Sequence, residues 1–182
     1  MPRKFFRKWM PDADAVRANR VVAPFARWLK HPNLWHLNRR SVPGAVAIGL
    51  FSGLVPGPLQ MLTALLLAIP LRKNLPVALL ATFYTNPITI VPLYLVAYQY
   101  GALLLGTEAR AGPLSTWEMN WSDWGASLEA LLHWAASLGK PLAVGLVALA
   151  LTLAAAGYVV TRVGWRAYVV LAWRARKKKR SR

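Results

Sequence analysis

Apolar and charged positions separate into blocks along this chain. Ser41 to Leu71 carries no charged residue over 31 positions, Asn74 to Thr107 none over 34, and Pro141 to Thr161 none over 21. An uncharged apolar run of about 18 residues or more is long enough to cross a hydrocarbon core. The third run has the length of one spanning helix. The first two are longer, and each is interrupted. Val55-Pro56-Gly57-Pro58 divides the first; Tyr84-Thr85-Asn86-Pro87, with Pro92 five residues on, divides the second. Proline removes a backbone donor and disfavours helix at the residue before it, and glycine invites a turn. The pattern predicts two broken helical segments followed by an unbroken one.

Charge sets the orientation. Residues 1–40 contain ten Lys/Arg with only Asp12 and Asp14, and residues 162–182 contain nine and no acid. The stretch 107–140 holds Glu108, Glu118, Asp123 and Glu129 against Arg110 and Lys140. Short loops rich in Lys/Arg stay in the cytoplasm, so both termini are expected there and 107–140 outside. Two cytoplasmic ends require an even number of crossings, one fewer than the three apolar runs. Run 41–71 is the one expected not to cross. As one helix it would extend about 45 Å, against a hydrocarbon core of about 30 Å. Folded at its Pro-Gly break, it becomes a re-entrant hairpin and returns Arg72-Lys73 to the cytoplasmic side. If it crossed instead, the Arg176-Lys177-Lys178-Lys179-Arg180 run would lie outside.

The expected fold is an all-α integral membrane protein. Its parts are a basic amphipathic cytoplasmic segment (1–40), a re-entrant hairpin (41–71), a broken span (75–105), an outer interfacial helix (114–136), a span (139–161) and a polybasic cytoplasmic tail (162–182). The amphipathic segments read as follows. Val21, Phe25, Trp28 and Leu29 share a face ringed by Arg17, Arg20, Arg27 and Lys30. Trp117, Trp121, Trp124, Leu128, Leu131 and Ala135 fall on one helical face suited to the membrane interface. The basic tail is expected to attract anionic headgroups, at about 1 kcal/mol per Lys/Arg near the surface, and carries no motif for reading nucleic-acid bases.

Composition narrows the function. The 182 residues are 56% hydrophobic yet carry a net charge of +17, a pairing that excludes an ordinary soluble domain. Cysteine is absent, which excludes disulfides and thiolate chemistry. No Asp or Glu lies between Ala15 and Thr107, so a proton relay in the broken segments lacks its usual carboxylate. His31, His36 and His133 have no metal-ligand spacing, and no nucleophile elbow, P-loop or dinucleotide fingerprint occurs. Neither a cofactor nor a metal site is expected, nor an enzyme.

Two groups of residues remain as candidates. Ala45, Gly49, Gly53 and Gly57 recur every four positions and would let another helix approach closely. With Pro56, Pro58 and Pro87, which set the breaks, they are read as packing residues. They pack either the hairpin itself or a homo-oligomer that buries the breaks. The second group is polar. Gln60, Thr85 and Asn86 lie at the breaks and either satisfy the freed backbone or bind a headgroup or solute. Arg39, Arg40, Arg72 and Lys73 would gather at the cytoplasmic end of the hairpin, as anchors or as ligands for a phosphate-bearing lipid.

The stretch from about Leu34 to Gly106 resembles the bacterial inner-membrane family called domain of unknown function 2062. The residues that carry the resemblance are Pro43, the run Ile48-Gly49-Leu50-Phe51-Ser52-Gly53-Leu54-Val55-Pro56, and Gln60. They continue with Leu71-Arg72-Lys73-Asn74-Leu75-Pro76, Thr85-Asn86-Pro87, Tyr94 and Gly101. The resemblance implies a cell-envelope membrane protein and supplies no activity. Members joined to glycosyltransferase domains point toward lipid-linked sugars. The expected function is a transporter or scramblase-like facilitator of a phosphate-bearing lipid or small solute. The alternative is a non-catalytic scaffold or assembly factor of the envelope.

Overall fold

A computed structural model describes residues 32–57, 59–107 and 122–180, with side chains through Arg174. All regular elements among them are helical. A short 3-10 turn, Pro32–Leu34, precedes α1 (Val42–Ser52), α2 (Leu59–Ala68), α3 (Leu75–Thr82), α4 (Ile90–Leu105), α5 (Trp124–Ser137) and α6 (Gly139–Arg180). The expected amphipathic face of 1–31 lies outside the described residues, as do Pro58, Trp117 and Trp121.

The chain builds its helix starts from local chemistry. Pro43 and Pro76 sit in the first turns of α1 and α3, where a missing N–H costs nothing. The Asn74 side chain accepts the Val77 N–H at 3.0 Å and caps α3. Before α1, the Asn38 carbonyl oxygen of the side chain accepts from the N–H groups of Arg40 and Ser41, at 2.9 and 2.7 Å. The Ser41 hydroxyl then donates to the Asn33 carbonyl at 2.7 Å. Leu34, fully buried, is thereby folded back into the core of α1, α2 and α3.

α1 and α3 run side by side in the same direction. Gly44 lies against the Lys73 side chain, Gly49 against Ala78 and Ala81, and Gly53 against Thr82 and Tyr84. A Cβ at Gly49 would collide with the Ala78 carbonyl, so only glycine permits this approach. Ala45 and Gly49 therefore pack α1 onto α3. Gly57 leaves that stripe: it lies beyond the helix with φ 65°, a left-handed turn against Leu128 of α5.

α2 returns from the break to pack on both α1 and α3. The Lys73 ammonium donates to the Arg40 carbonyl at 3.2 Å, so the two ends of the 41–71 hairpin meet on one side of the fold. α4 and α6 are antiparallel and touch backbone to backbone. Gly101 abuts the Pro141 carbonyl, and Gly145 abuts the Ala97 carbonyl. Beyond this crossing α6 continues along α1, where Gly157 receives Leu50 and Val46.

Two apolar clusters result. The first joins Leu34, Ala45, Ile48, Leu65, Ile69 and Leu75 from the hairpin and α3. The second joins Tyr94, Tyr98, Leu131, Trp134, Leu138 and Leu142 from α4, α5 and α6. The hairpin fills one half of the fold, and α5 fills the space beyond its tip.

Two sequence expectations change here. Of the expected face of α5, Leu131 is buried and Leu128 and Ala135 pack half-buried against the second cluster, but Trp124 is 62% exposed, and Ser127, Trp134 and Leu138 are buried beside them. Asp123 caps the helix by accepting the Ala126 N–H, so α5 begins at Trp124. The face is turned because Trp134 stacks on Tyr94, with ring centroids 6.3 Å apart, in place of lying on a flat interface. The second change concerns the basic stretch from Arg162: α6 passes unbroken from the apolar stretch to Arg180, so these residues continue the helix. By length and composition, one helix among the described residues, α6 over Gly139–Arg174, is sufficient to cross a membrane.

Candidate functional site

The two breaks meet at the centre of the fold. The first, between α1 and α2, is Gly53-Leu54-Val55-Pro56-Gly57-Pro58, with no polar side chain of its own. Its Gly53 and Leu54 carbonyls accept from side chains of the second break and of α4. The Thr85 hydroxyl contacts the Gly53 carbonyl, the Gln60 side-chain oxygen at 2.8 Å and the Thr82 carbonyl at 3.0 Å. A single hydroxyl proton serves one of these oxygens at a time, and the Gln60 amide can present its N–H₂ to Thr85 by flipping. The Tyr84 hydroxyl donates to the Leu50 carbonyl at 2.8 Å, and the Tyr94 hydroxyl to the Leu54 carbonyl at 2.9 Å. Gln60 and Thr85, assigned to one site from the sequence, are thus in direct contact.

Asn86 stands apart from them. It is exposed and closes its own turn, its side-chain oxygen accepting from Ile88 and Thr89 N–H groups at 2.9 and 3.0 Å. Thr89 completes the turn by accepting from the Asn86 N–H at 2.9 Å and donating to the Tyr84 carbonyl at 2.8 Å. Pro87 follows Asn86 in this turn and is half-buried; Pro56 is half-buried in the first break.

The other cluster lies at the opposite end of α1 and α3. Both helices start there, beside exposed Arg39, Arg40 and Arg72 and half-buried Lys73. Helix starts carry unpaired N–H groups and partial positive charge, so this end favours anions twice over. No acid lies in the chain between Ala15 and Thr107 to neutralise it. Among the described residues Arg72 alone of the non-glycines has positive φ, at 52°. That conformation costs an L residue about 1–2 kcal/mol.

Among the described residues, two buried polar side-chain atoms have no hydrogen-bond partner: the Ser52 hydroxyl beside the first break, and the side-chain nitrogen of Asn74 at the basic end. Sequence reasoning gave no role to Ser52, Tyr84 or Tyr94, although Ser52 and Tyr94 are among the residues that carry the family resemblance. Neither tyrosine gives a local signal of its role, because its partner carbonyl lies 34 or 40 residues away. The Gly101–Gly145 crossing was also missed as a packing contact, for the same reason.

The family profile of an uncharacterised protein conserved in bacteria, DUF2062, matches residues 22–174. The chain belongs to this family. The match runs well past the 34–106 stretch that carries the motifs, taking in α5 and most of α6, so the family includes the whole two-cluster fold described above. No curated protein and no solved structure matches the chain significantly.

Proposed function

We propose that the protein is an inner-membrane facilitator that binds a phosphate-bearing lipid, or a small anionic solute, at the basic end of α1 and α3 and eases its passage along the hairpin. The observation that carries this reading is Arg72. A left-handed turn position is filled by glycine at no steric cost, and a strained arginine there suggests retention for its side chain. The converging helix starts and the neighbouring Arg39, Arg40 and Lys73 support an anionic partner, because guanidinium groups bind phosphate bidentately.

In this reading the α1–α2 hairpin is re-entrant, with Lys73 and Arg40 at the cytoplasmic surface. α1 is about 16 Å long and α2 about 15 Å, half of a hydrocarbon core of about 30 Å. α3 and α4 together form the broken span, α6 crosses back, and both termini are cytoplasmic. The breaks then sit near the midplane, and their Thr85–Gln60 contact is a closed latch that a headgroup must part. The unpartnered Ser52 hydroxyl beside it offers that headgroup a hydrogen bond.

The test is movement of a fluorescent polyprenyl phosphate across liposomes containing the purified full chain. Replacing Arg39, Arg40 and Arg72 together by Gln should lower the rate at least about tenfold, since each charge-assisted bond is worth about 1.5–3 kcal/mol. The exposed positions leave the fold unchanged. Movement no faster than in empty liposomes would sink the facilitator reading.

A second reading, an assembly factor of the envelope, is favoured by one observation: α6 extends far beyond its uncharged stretch. Alanine in place of the three arginines would leave that role intact.

A further inference from the structure

The parallel helices α1 and α3 have a second end, at the breaks, and its chemistry is opposite to that of the basic end. The hairpin cluster forms its floor. Ile48, Ala64 and Ala78 lie together in that cluster, one from each of α1, α2 and α3. Residues four apart share a helical face. One turn nearer the breaks, the same three faces carry Ser52, Gln60 and Thr82; the count runs backwards on α2, which opposes the other two. Thr85 of the second break closes this layer, 2.8 Å from the Gln60 side-chain oxygen. Ser52 and Thr82 are fully buried, and Thr85 is 5% exposed. Four polar side chains thus stand directly on an apolar floor.

The layer is rich in oxygen and poor in protons. The Thr85 hydroxyl has the Gly53 carbonyl, the Gln60 oxygen and the Thr82 carbonyl around it, and one proton to give. The Thr82 hydroxyl donates away from the layer, to the Leu79 carbonyl at 2.7 Å. The Ser52 hydroxyl has no hydrogen-bond partner among the described residues. The backbone adds charge. Both α1 and α3 end here, and a Cβ on Gly53 would lie 3.1 Å from the Thr82 carbonyl, so the two C-termini are side by side. Each helix end carries partial negative charge, equivalent to about half an elementary charge. No basic residue stands in the last turn of either helix. No charged residue at all occurs from Ser41 to Leu71 or from Asn74 to Thr107.

These features select the ligand. An anion is repelled by the carbonyls. Water supplies protons but takes nothing from the paired negative helix ends. A divalent ion is held through carboxylates or imidazoles, and no group of such residues occurs among the described residues. A monovalent cation needs neither. Uncharged carbonyls, amides and hydroxyls replace its hydration shell, and the C-terminal ends of broken helices supply the field.

We propose that this layer binds a monovalent alkali cation. Its ligands are the Gly53 and Thr82 carbonyls, the Gln60 amide oxygen and the Ser52 and Thr85 hydroxyls. Gln60 is half-buried and admits the ion by swinging its oxygen away from Thr85. The unpartnered Ser52 oxygen then gains a partner. The site lies at the opposite end of α1 and α3 from Arg39, Arg40 and Arg72, and does not rest on their binding a phosphate.

The test follows thermal unfolding of the full chain in mild detergent, in choline, sodium or potassium chloride at one ionic strength. Sodium or potassium should raise the midpoint saturably where choline does not, because a ligand of the folded state alone stabilises it. The ion with the larger shift is the one the site prefers. Ser52→Ala removes only a hydroxyl without a partner, so it folds; it should raise the half-saturating concentration at least about tenfold. Gln60→Glu puts a full charge among the ligands and should lower that concentration at least about tenfold. The response should survive replacement of Arg39, Arg40 and Arg72 together by Gln. Equal midpoints in all three salts would overturn the proposal, leaving water in the layer. So would a response unchanged in both Ser52→Ala and Gln60→Glu, or one lost in the triple arginine variant, since either places the ion elsewhere.

Discussion

The two helix breaks are built by opposite means. The second, Phe83 to Thr89, satisfies itself: Asn86 and Thr89 close its turn with their own side chains, and the turn is largely exposed. The first is written in Gly, Leu, Val and Pro, and is buried at Gly53 and Leu54. For its Gly53 and Leu54 carbonyls it borrows Thr85 from the second break and Tyr94 from α4, while Tyr84 serves Leu50 in the last turn of α1. A break in an apolar setting must be repaired from somewhere, since an unpaired buried group costs about 1–3 kcal/mol. The difference teaches which break depends on which. The second can stand alone; the first forms only once α1 lies against α3.

The largest way to break this dependence is to part those helices. Gly49→Val drives a side chain into the Ala78 carbonyl. It should cost about 4 kcal/mol or more, abolishing the cooperative thermal transition in mild detergent. Next come the borrowed donors. Tyr94→Phe leaves the buried Leu54 carbonyl unpaired while keeping the ring on Trp134. Thr85→Val does the same to Gly53 and Gln60. Each should lower denaturant stability by about 1–3 kcal/mol. Asn86→Ala, in the self-sufficient and exposed turn, should cost about 1 kcal/mol or less. If Asn86→Ala proved worse than Thr85→Val, the order of dependence would be reversed. Smallest, and of opposite sign, is Arg72→Gly. Relief of the left-handed strain should raise stability by up to about 1 kcal/mol, while binding of polyprenyl phosphate falls.

Much of this arrangement was legible in the sequence because it is local. The charge-free runs, the breaks at Pro56 and Pro87 and the Gly49–Gly53 stripe all follow from residue type and spacing. Gln60, Thr85 and Asn86 were grouped at the breaks, and of these Gln60 and Thr85 touch while Asn86 stands apart. What escaped is long-range. Nothing near Tyr94 announces that its hydroxyl repairs Leu54, and nothing near Gly145 announces Gly101. The face of α5 was misjudged by about one position in the helical turn. Tryptophan spacing fits an interface, but Trp134 is drawn inward by a ring on another helix. The helical course of α6 to Arg180 was hidden by charge, which reads as a solvated tail although Lys and Arg are good helix formers.

The central claim is that the hairpin starts and ends on the cytoplasmic side while the loop before α5 is outside. The chain contains no cysteine, so single cysteines report without background. Exposed Arg72 and Ser122 are each replaced by Cys, and intact cells are treated with a membrane-impermeant thiol reagent. The account predicts labelling at Ser122→Cys and none at Arg72→Cys until the membrane is permeabilised. Labelling of Arg72→Cys from outside in intact cells would contradict it.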